Sequence, residues 1–194
     1  MRTTLSAVIL CSILLAGCGS SGVSKESSRL PKGNPNAVVT VQEFSDLQCP
    51  ACRTVHLQLV SSLLQEHGER IRFEFKHFPL QTIHPLALRA AMASECAADQ
   101  GKFWEYVDLA YMRQSELSAD ALTEWAGELS LDTPLFERCL ASEAKRDTVM
   151  QDYSEARSRN LRGTPTFLVN GKEVPTNELE QAIEEAEAAI VRRL

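Results

Sequence analysis

The sequence predicts an α/β fold in two small halves separated by a helical block. Three observations carry this. Apolar strand patterns flank a helical pattern early in the chain, over residues 38–78. Helical patterns then run without a strand from Pro85 to about Asn160. A short strand, a hairpin signal and a further helix follow. Without the helical block, a small sheet remains, with a parallel half and a hairpin half.

Residues 38–44 read as the first strand. Val39, Val41 and Glu43 share one face; Val38, Thr40, Gln42 and Phe44 share the other. A helical pattern follows to about His67, with Cys52, Val55, His56, Leu59 and Leu63 on one face, and it stops at Gly68. Residues 71–78 alternate Ile71, Phe73 and Phe75 with Arg72, Glu74 and Lys76, the pattern of a half-buried strand. A strand–helix–strand unit of this length implies parallel pairing through a right-handed crossover.

In the helical block, Pro85 suits a first helical position. Gly101 interrupts, and Phe103, Trp104, Val107 and Tyr111 continue the apolar stripe. Ser118 is placed to cap a helix carrying Leu122, Trp125, Ala126 and Leu129. Thr133-Pro134 opens another, with Phe136, Cys139 and Leu140 inward. Trp104 and Trp125 are expected in the core of this block. Residues 163–169 read as a short strand. Asn170-Gly171 is a two-residue hairpin signal leading into Lys172 to Val174. Asn177 with Glu180 is expected to open a helix whose stripe is Leu179, Ala182, Ile183, Ala186 and Ile190.

Residues 1–17 read as a targeting segment. Arg2 precedes an apolar run, Leu5 to Ala16, that is too short to span a bilayer. Leu15-Ala16-Gly17-Cys18 resembles a bacterial lipobox, which implies cleavage before Cys18 and lipidation of that cysteine. The alternative is an ordinary secretory signal. Gly19, rather than an acidic residue, resembles outer-membrane sorting, so a lipid-anchored protein on the periplasmic side of the cell envelope is expected. Cys11 leaves with the segment. Residues 18–36, rich in Ser, Gly, Lys and Pro, read as a lipidated cysteine and flexible tether. Residues 37–194 suffice for one domain, with a helical insertion at about 84–161. The net charge is −6 and no basic patch stands out, so nucleic-acid binding is not expected. No cofactor is expected either.

Export places the remaining cysteines where disulfides persist. Cys49-Pro50-Ala51-Cys52 follows the first strand and opens the first helix. Two thiols at this spacing can close a small disulfide ring and reopen it. Cys49 falls at a helix N-terminus, where unpaired N–H groups and the dipole favour an anion. A free thiol of pKa about 8.5 is a few per cent thiolate at pH 7. A helix terminus contributes roughly 0.3–2 kcal/mol, about 0.2–1.5 pKa units. Cys96 and Cys139 fall on apolar helical stripes, as buried free thiols or as a structural disulfide; the residues leave both readings open. A four-thiolate zinc centre of Cys49, Cys52, Cys96 and Cys139 is a rival reading, although a second close pair is missing. A non-enzymatic chaperone is another.

The Cys49–Cys52 motif after Val41-Gln42-Glu43-Phe44-Ser45-Asp46, with the late Gly163-Thr164-Pro165-Thr166, resembles the DsbA-like thioredoxin-fold proteins. The resemblance runs from about Pro35 to the end of the sequence and includes an inserted helical part. It implies a thioredoxin-like fold and thiol–disulfide exchange with exported proteins, most simply as a dithiol oxidase, with reductase and isomerase as alternatives. A membrane redox partner is implied with it. Cys49 would be the attacking thiol and Cys52 the buried resolving thiol. Thr164-Pro165 would lie beside them with a cis bond, leaving the Thr164 backbone for a substrate strand. Glu43 would be a buried acid beneath the site, shuttling the Cys52 proton, and Lys76 a charge partner for it. The residues alone also allow an outward Glu43 on an edge strand and a solvated Lys76. Ala51, where some oxidases of this family have His, cannot donate a hydrogen bond and predicts a milder oxidant. His56 reads as helix packing, and His77 and His84 as flanking a loop at the rim.

Overall fold

The structure, a computed structural model, describes residues 23–192. The targeting segment, Cys11 and Cys18 lie outside the described residues. A five-stranded sheet is ordered β1-β3-β2-β4-β5. Its strands are β1 (Lys32–Gly33), β2 (Val39–Ser45), β3 (Ile71–His77), β4 (Thr166–Val169) and β5 (Lys172–Val174). β2 and β3 pair in parallel from Val39 opposite Ile71 to Ser45 opposite His77. β4 runs antiparallel to β2, and β5 antiparallel to β4. The predicted α/β architecture is the observed one: a thioredoxin-like fold with a helical insertion.

A continuous helical segment joins β2 to β3. It consists of α1 (Pro50–Val55), a π-turn (His56–Val60) and α2 (Ser61–His67). The wider turn shifts the phase of the apolar face by one residue. Cys52, His56, Val60 and Leu63 are therefore buried, whereas Leu59 is only partly covered. Ordinary helical periodicity places Leu59 there instead.

The insertion comprises α3 (Ala87–Ala98), α4 (Phe103–Met112), α5 (Ala119–Glu128), α6 (Thr133–Ala141) and α7 (Arg146–Ser158). α3 begins two residues after Pro85. Gly101, at φ +72°, turns the chain between α3 and α4. Ser118 caps α5 as expected, its hydroxyl accepting from the Ala121 N–H. Asp132 caps α6 by accepting from the Leu135 N–H at 2.8 Å. Asn170 and Gly171 both have positive φ, the requirement of the type I′ hairpin. α8 (Leu179–Val191) starts after a short 3₁₀ turn, so Asn177 does not cap it. Its predicted stripe packs on the sheet through Leu179 and Ile183.

Residues 23–36 correct the tether expectation, because this stretch is docked on the domain. β1 pairs with β3, Lys32 opposite Phe73. Arg29 forms ion pairs with Glu95 and Asp152, and Thr148 donates to the Lys25 carbonyl at 2.7 Å. The fully buried Lys145 ammonium donates to the Glu26 carbonyl and to Asp99. The Ser/Gly/Lys composition suggested solvated chain, but the partners of these charges lie 66 or more residues away in sequence for Arg29. Trp104 also differs from expectation. It is only partly buried, wedged between the two main cores, and its Nε1 donates to the Leu30 carbonyl at 2.8 Å. Trp125 is fully buried, as predicted.

Candidate active site

The centre of the site is set by β2. Phe44 lies opposite Thr166, which brings the loop before β4 alongside the turn that leads from β2 into α1. Cys49 is the N-cap of α1, with extended backbone (φ −79°, ψ 121°), and Pro50 is the next residue. The Thr164–Pro165 bond is cis, as the resemblance implied. The Thr164 carbonyl lies 3.7 Å from the Cys49 sulfur. The turn is fixed from below by Asp46: its backbone oxygen accepts the Cys49 N–H at 3.0 Å. Its carboxylate accepts from the Gln48 and Leu80 N–H groups and contacts His84 Nδ1 at 2.8 Å.

Cys49 and Cys52 are both free thiols. Cys49 is 7% exposed and Cys52 is 0% exposed, so an incoming sulfur meets Cys49. The Cys49 pKa is lowered to about 5 by hydrogen bonding with the Cys52 thiol first, then by the Cys52 N–H, the Thr164 side and the Ala51 N–H, against an opposing burial effect. Burial, followed by the interaction with Cys49, raises the Cys52 thiol. The setting thus favours the thiolate at Cys49 and the protonated thiol at Cys52.

Glu43 is wholly buried, so the inward reading of the strand alternation is correct. Its Oε1 accepts from the Ser45 hydroxyl at 2.7 Å, while Oε2 has no hydrogen-bond partner. Ser45 Oγ also lies 2.8 Å from the Tyr111 hydroxyl. Burial raises the Glu43 pKa, opposed by the charges of His56 and Lys32 and by the Ser45 hydrogen bond. Lys76 is not its partner. Its side chain is on the other face of β3 and pairs with Asp152 and Glu155 at 3.3 and 3.1 Å. Strand alternation had placed Lys76 with the outward charges, and that pattern prevails.

The remaining candidates divide between the site and the scaffold. Cys96 and Cys139 are joined in a disulfide with Cα atoms 5.9 Å apart. That removes the four-thiolate zinc reading, since two of its ligands are bonded to each other. His77 is buried with Nε2 3.1 Å from Glu95, and His84 holds Asp46; neither is a free rim residue. Ser45, Tyr111 and Gln114 are site residues the sequence reading did not identify. Gln114 donates from Nε2 to the Leu47 and Cys49 carbonyls at 2.9 and 3.0 Å. Ser45 follows Glu43 by two residues in the strand, a same-face signal that was available. Tyr111 and Gln114 come from the insertion, and no local pattern links them to Cys49.

A family model described as thioredoxin matches residues 25–190. The chain belongs to the thioredoxin family. Among solved structures, a thioredoxin-like oxidoreductase from Silicibacter pomeroyi is 25% identical with a TM-score of 0.70, covering 83% of this chain and 93% of that one. BdbD from Bacillus subtilis has a TM-score of 0.72 at 22% identity, covering 86% of this chain and 98% of its own. Wolbachia pipientis α-DsbA1 has a TM-score of 0.72 at 20% identity, covering 84% and 94%. The chain shares the thioredoxin-like fold of these structures, and its Cys49 and Cys52 are both free thiols. Curated relatives include a Na(+)/H(+) antiporter NhaA 3 of Salinispora tropica, 39% identical over 73% of this chain. Another is the NhaA antiporter of Herminiimonas arsenicoxydans, 35% identical over 73% of this chain. The chain spans only 21% and 22% of the lengths of these antiporters. Among the described residues, no helix is long and apolar enough to cross a membrane.

Proposed function

We propose that this protein is a dithiol oxidase of exported proteins, passing the Cys49–Cys52 disulfide to substrate thiols. The observation that carries the reading is the placement of the two sulfurs: Cys49 at the start of α1, where its pKa is lowered, and Cys52 wholly buried behind it, where its pKa is raised. Stabilising the Cys49 thiolate stabilises the reduced protein, which makes the disulfide a stronger oxidant.

A substrate thiolate attacks Cys49 Sγ, and the Cys49–Cys52 bond breaks. Cys52 leaves as a thiolate in an apolar setting and takes a proton by way of Ser45 and Glu43. The second substrate thiolate then attacks the substrate sulfur of the mixed disulfide. Cys49 departs as a stable thiolate, and the substrate holds the disulfide. Two electrons have moved from the substrate dithiol to the protein. The Thr164 carbonyl, beside Cys49, is positioned to accept a backbone N–H of the substrate strand. A membrane partner would return the pair to its disulfide. Anchoring through Cys18 in the cell envelope is part of the same proposal.

The deciding measurement is the reduction potential of the pair, together with oxidation of a reduced, unfolded protein. A potential well above the roughly −270 mV of thioredoxin, and stoichiometric disulfide transfer lost in Cys49→Ser, is expected. A potential at or below that value would make the protein a reductase. Activity retained by Cys49→Ser would make it a chaperone. Palmitate labelling abolished by Cys18→Ala is expected for the anchor; labelling that survives the substitution refutes it.

A further inference from the structure

Residues 155–162 hold three arginines and one acid, a local excess hidden in the net charge of −6. They close α7 and lead directly into the loop of Thr164 and Pro165. Arg157, Asn160, Leu161 and Arg162 line a pocket of about 240 Å³. The acids nearby are already engaged: Asp152 pairs with Arg29 and Lys76, and Glu155 with Lys76 and Arg159. Arg157 and Arg162 form no ion pair or side-chain hydrogen bond among the described residues. The end of α7 does not need them as caps, because the Asn160 and Leu161 N–H groups bond the Arg157 and Ala156 carbonyls at 3.0 Å. The helix dipole suits a cation at Arg157, but Arg162 lies past the helix end at Ser158, where that effect has faded.

Two connections place this pocket beside the redox pair. Arg162 is two residues before Thr164, whose carbonyl lies 3.7 Å from the Cys49 sulfur. Two residues of chain span at most about 7 Å. Leu161, in the pocket wall, shares a small core with Phe44, Phe78 and Leu168, and Leu80 packs against that core. The Leu80 N–H is held by the Asp46 carboxylate, and the Asp46 backbone oxygen holds the Cys49 N–H. The chain between the pocket and Thr164 is open. The N–H groups of Arg162, Gly163 and Thr164 have no acceptor among the described residues, and a side chain built at Gly163 would meet nothing within 4 Å.

We propose that Arg157 and Arg162 form a subsite for an acidic side chain of the substrate, close to the substrate cysteine that exchanges with Cys49. The inference rests on the thiol–disulfide exchange reading but not on its direction. A substrate strand that adds to residues 162–164 through backbone hydrogen bonds brings its cysteine to Thr164. The substrate residue two positions away then lies opposite Arg162. Two guanidinium groups on one pocket suit a carboxylate, which they hold by charge-assisted hydrogen bonds. The net charge of −6 repels an acidic segment, so this local positive field decides where such a segment docks.

The test compares three dithiol peptides, with Glu, Gln or Lys at the positions two residues either side of the first cysteine. Each reduced peptide is mixed with oxidised protein. Its thiolate attacks Cys49 Sγ, its second thiol completes the exchange, and two electrons pass from peptide to protein. Each rate is divided by that of the same peptide with hydroxyethyl disulfide, which removes the effect of the flanking charge on thiol reactivity. The Glu peptide is expected to react about fivefold faster than the Gln peptide at low salt, the scale of one exposed ion pair. The Lys peptide should be the slowest. In about 1 M salt, where charges act over roughly 3 Å, the advantage should vanish. Arg157→Gln combined with Arg162→Gln should bring the Glu-to-Gln ratio to about one, and Arg162→Glu should favour the Lys peptide. The ratio within each variant cancels any general change in exchange. Equal normalised rates for the three peptides in the wild type overturn the inference, as does a Glu preference that survives the double substitution. Dithiothreitol, an uncharged thiol, separates the two readings. A Cys49–Cys52 disulfide that it cannot reduce refutes the exchange reading itself, whereas ready reduction without a Glu preference refutes the subsite alone.

Discussion

The backbone oxygen of Thr164 lies 3.7 Å from the sulfur of Cys49, across 115 residues of sequence. The contact joins the start of α1 to the loop before β4 and leaves Cys52 behind it, fully buried. The asymmetry of the two thiols follows from that arrangement, and the predictions below follow from the asymmetry.

Alkylation of reduced protein by iodoacetamide should occur at Cys49 and rise with pH through a midpoint near the Cys49 pKa of about 5. A midpoint near 8.5, the value of a free thiol, would contradict the site geometry. Stability carries the same signature. A thiol with a depressed pKa contributes stability that is complete above its unfolded value and is lost as pH falls through about 5. The oxidised protein lacks this contribution. The melting-temperature gap between reduced and oxidised forms should therefore widen in favour of the reduced form from pH 5 toward pH 8.5.

Glu43→Gln should separate activity from stability. Burial raises the Glu43 carboxyl above its ordinary value, so the group detracts from stability once pH exceeds the unfolded value of 4.5. Urea denaturation should find the Gln variant more stable than wild type by about 1–2 kcal/mol at pH 7, in the range typical of removing a strained functional group. Little difference is expected at pH 4. Exchange should slow by roughly 100-fold at pH 7, the low end for loss of a general acid–base group. Unchanged exchange would remove Glu43 from the mechanism.

Ala51→His should raise the reduction potential. A donor between the cysteines adds stabilisation to the Cys49 thiolate, and about 1.4 kcal/mol of it corresponds to about 30 mV. Equilibration with glutathione measures the shift. No rise would show that the N–H groups and the Cys52 thiol already saturate the thiolate.

Removal of Cys96–Cys139 by a double Ala substitution should lower stability by about 4 kcal/mol, the chain-entropy value for cysteines 43 residues apart. Exchange by the surviving folded protein should be unaffected. A loss of exchange at full folding would assign this disulfide a redox role.

Arg29→Ala should cost about 3–5 kcal/mol, the scale for leaving buried charges unpaired. Glu95, opposed by burial but held at about 2 by His77 and Arg29, would lose one of its partners. Limited proteolysis should then cut within residues 23–31, which wild type protects. Equal stability and protection would mean that the docked segment is held without this pair.

Much of the molecule was legible in the sequence because its signals are local. The alternation of Val39, Val41 and Glu43 with Thr40 and Gln42 put the acid on the face of two valines without excluding an outward side chain, and Cys49-Pro50 marked a helix start. Asn170-Gly171 marked a hairpin because both positions need positive φ, and few other residue pairs supply it. The pairing of Cys96 with Cys139 remained open in the sequence, since an apolar helical stripe suits a free thiol as well as a bonded one. Tyr111 reads as core by its stripe, and only packing of α4 on the π-turn makes it a neighbour of Ser45 and His56. Arg29 and Lys145 look like solvated charges until their partners arrive from α3 and α7 or from the segment before β1.

By itself, the sequence determined the element order, the redox pair and its helix-terminal setting, since each depends on propensity and spacing within a few residues. The tertiary structure alone decided which charges are buried and with whom, and what surrounds Glu43. Those are set by desolvation and by contacts between residues tens of positions apart, and neither leaves a periodic trace in the chain.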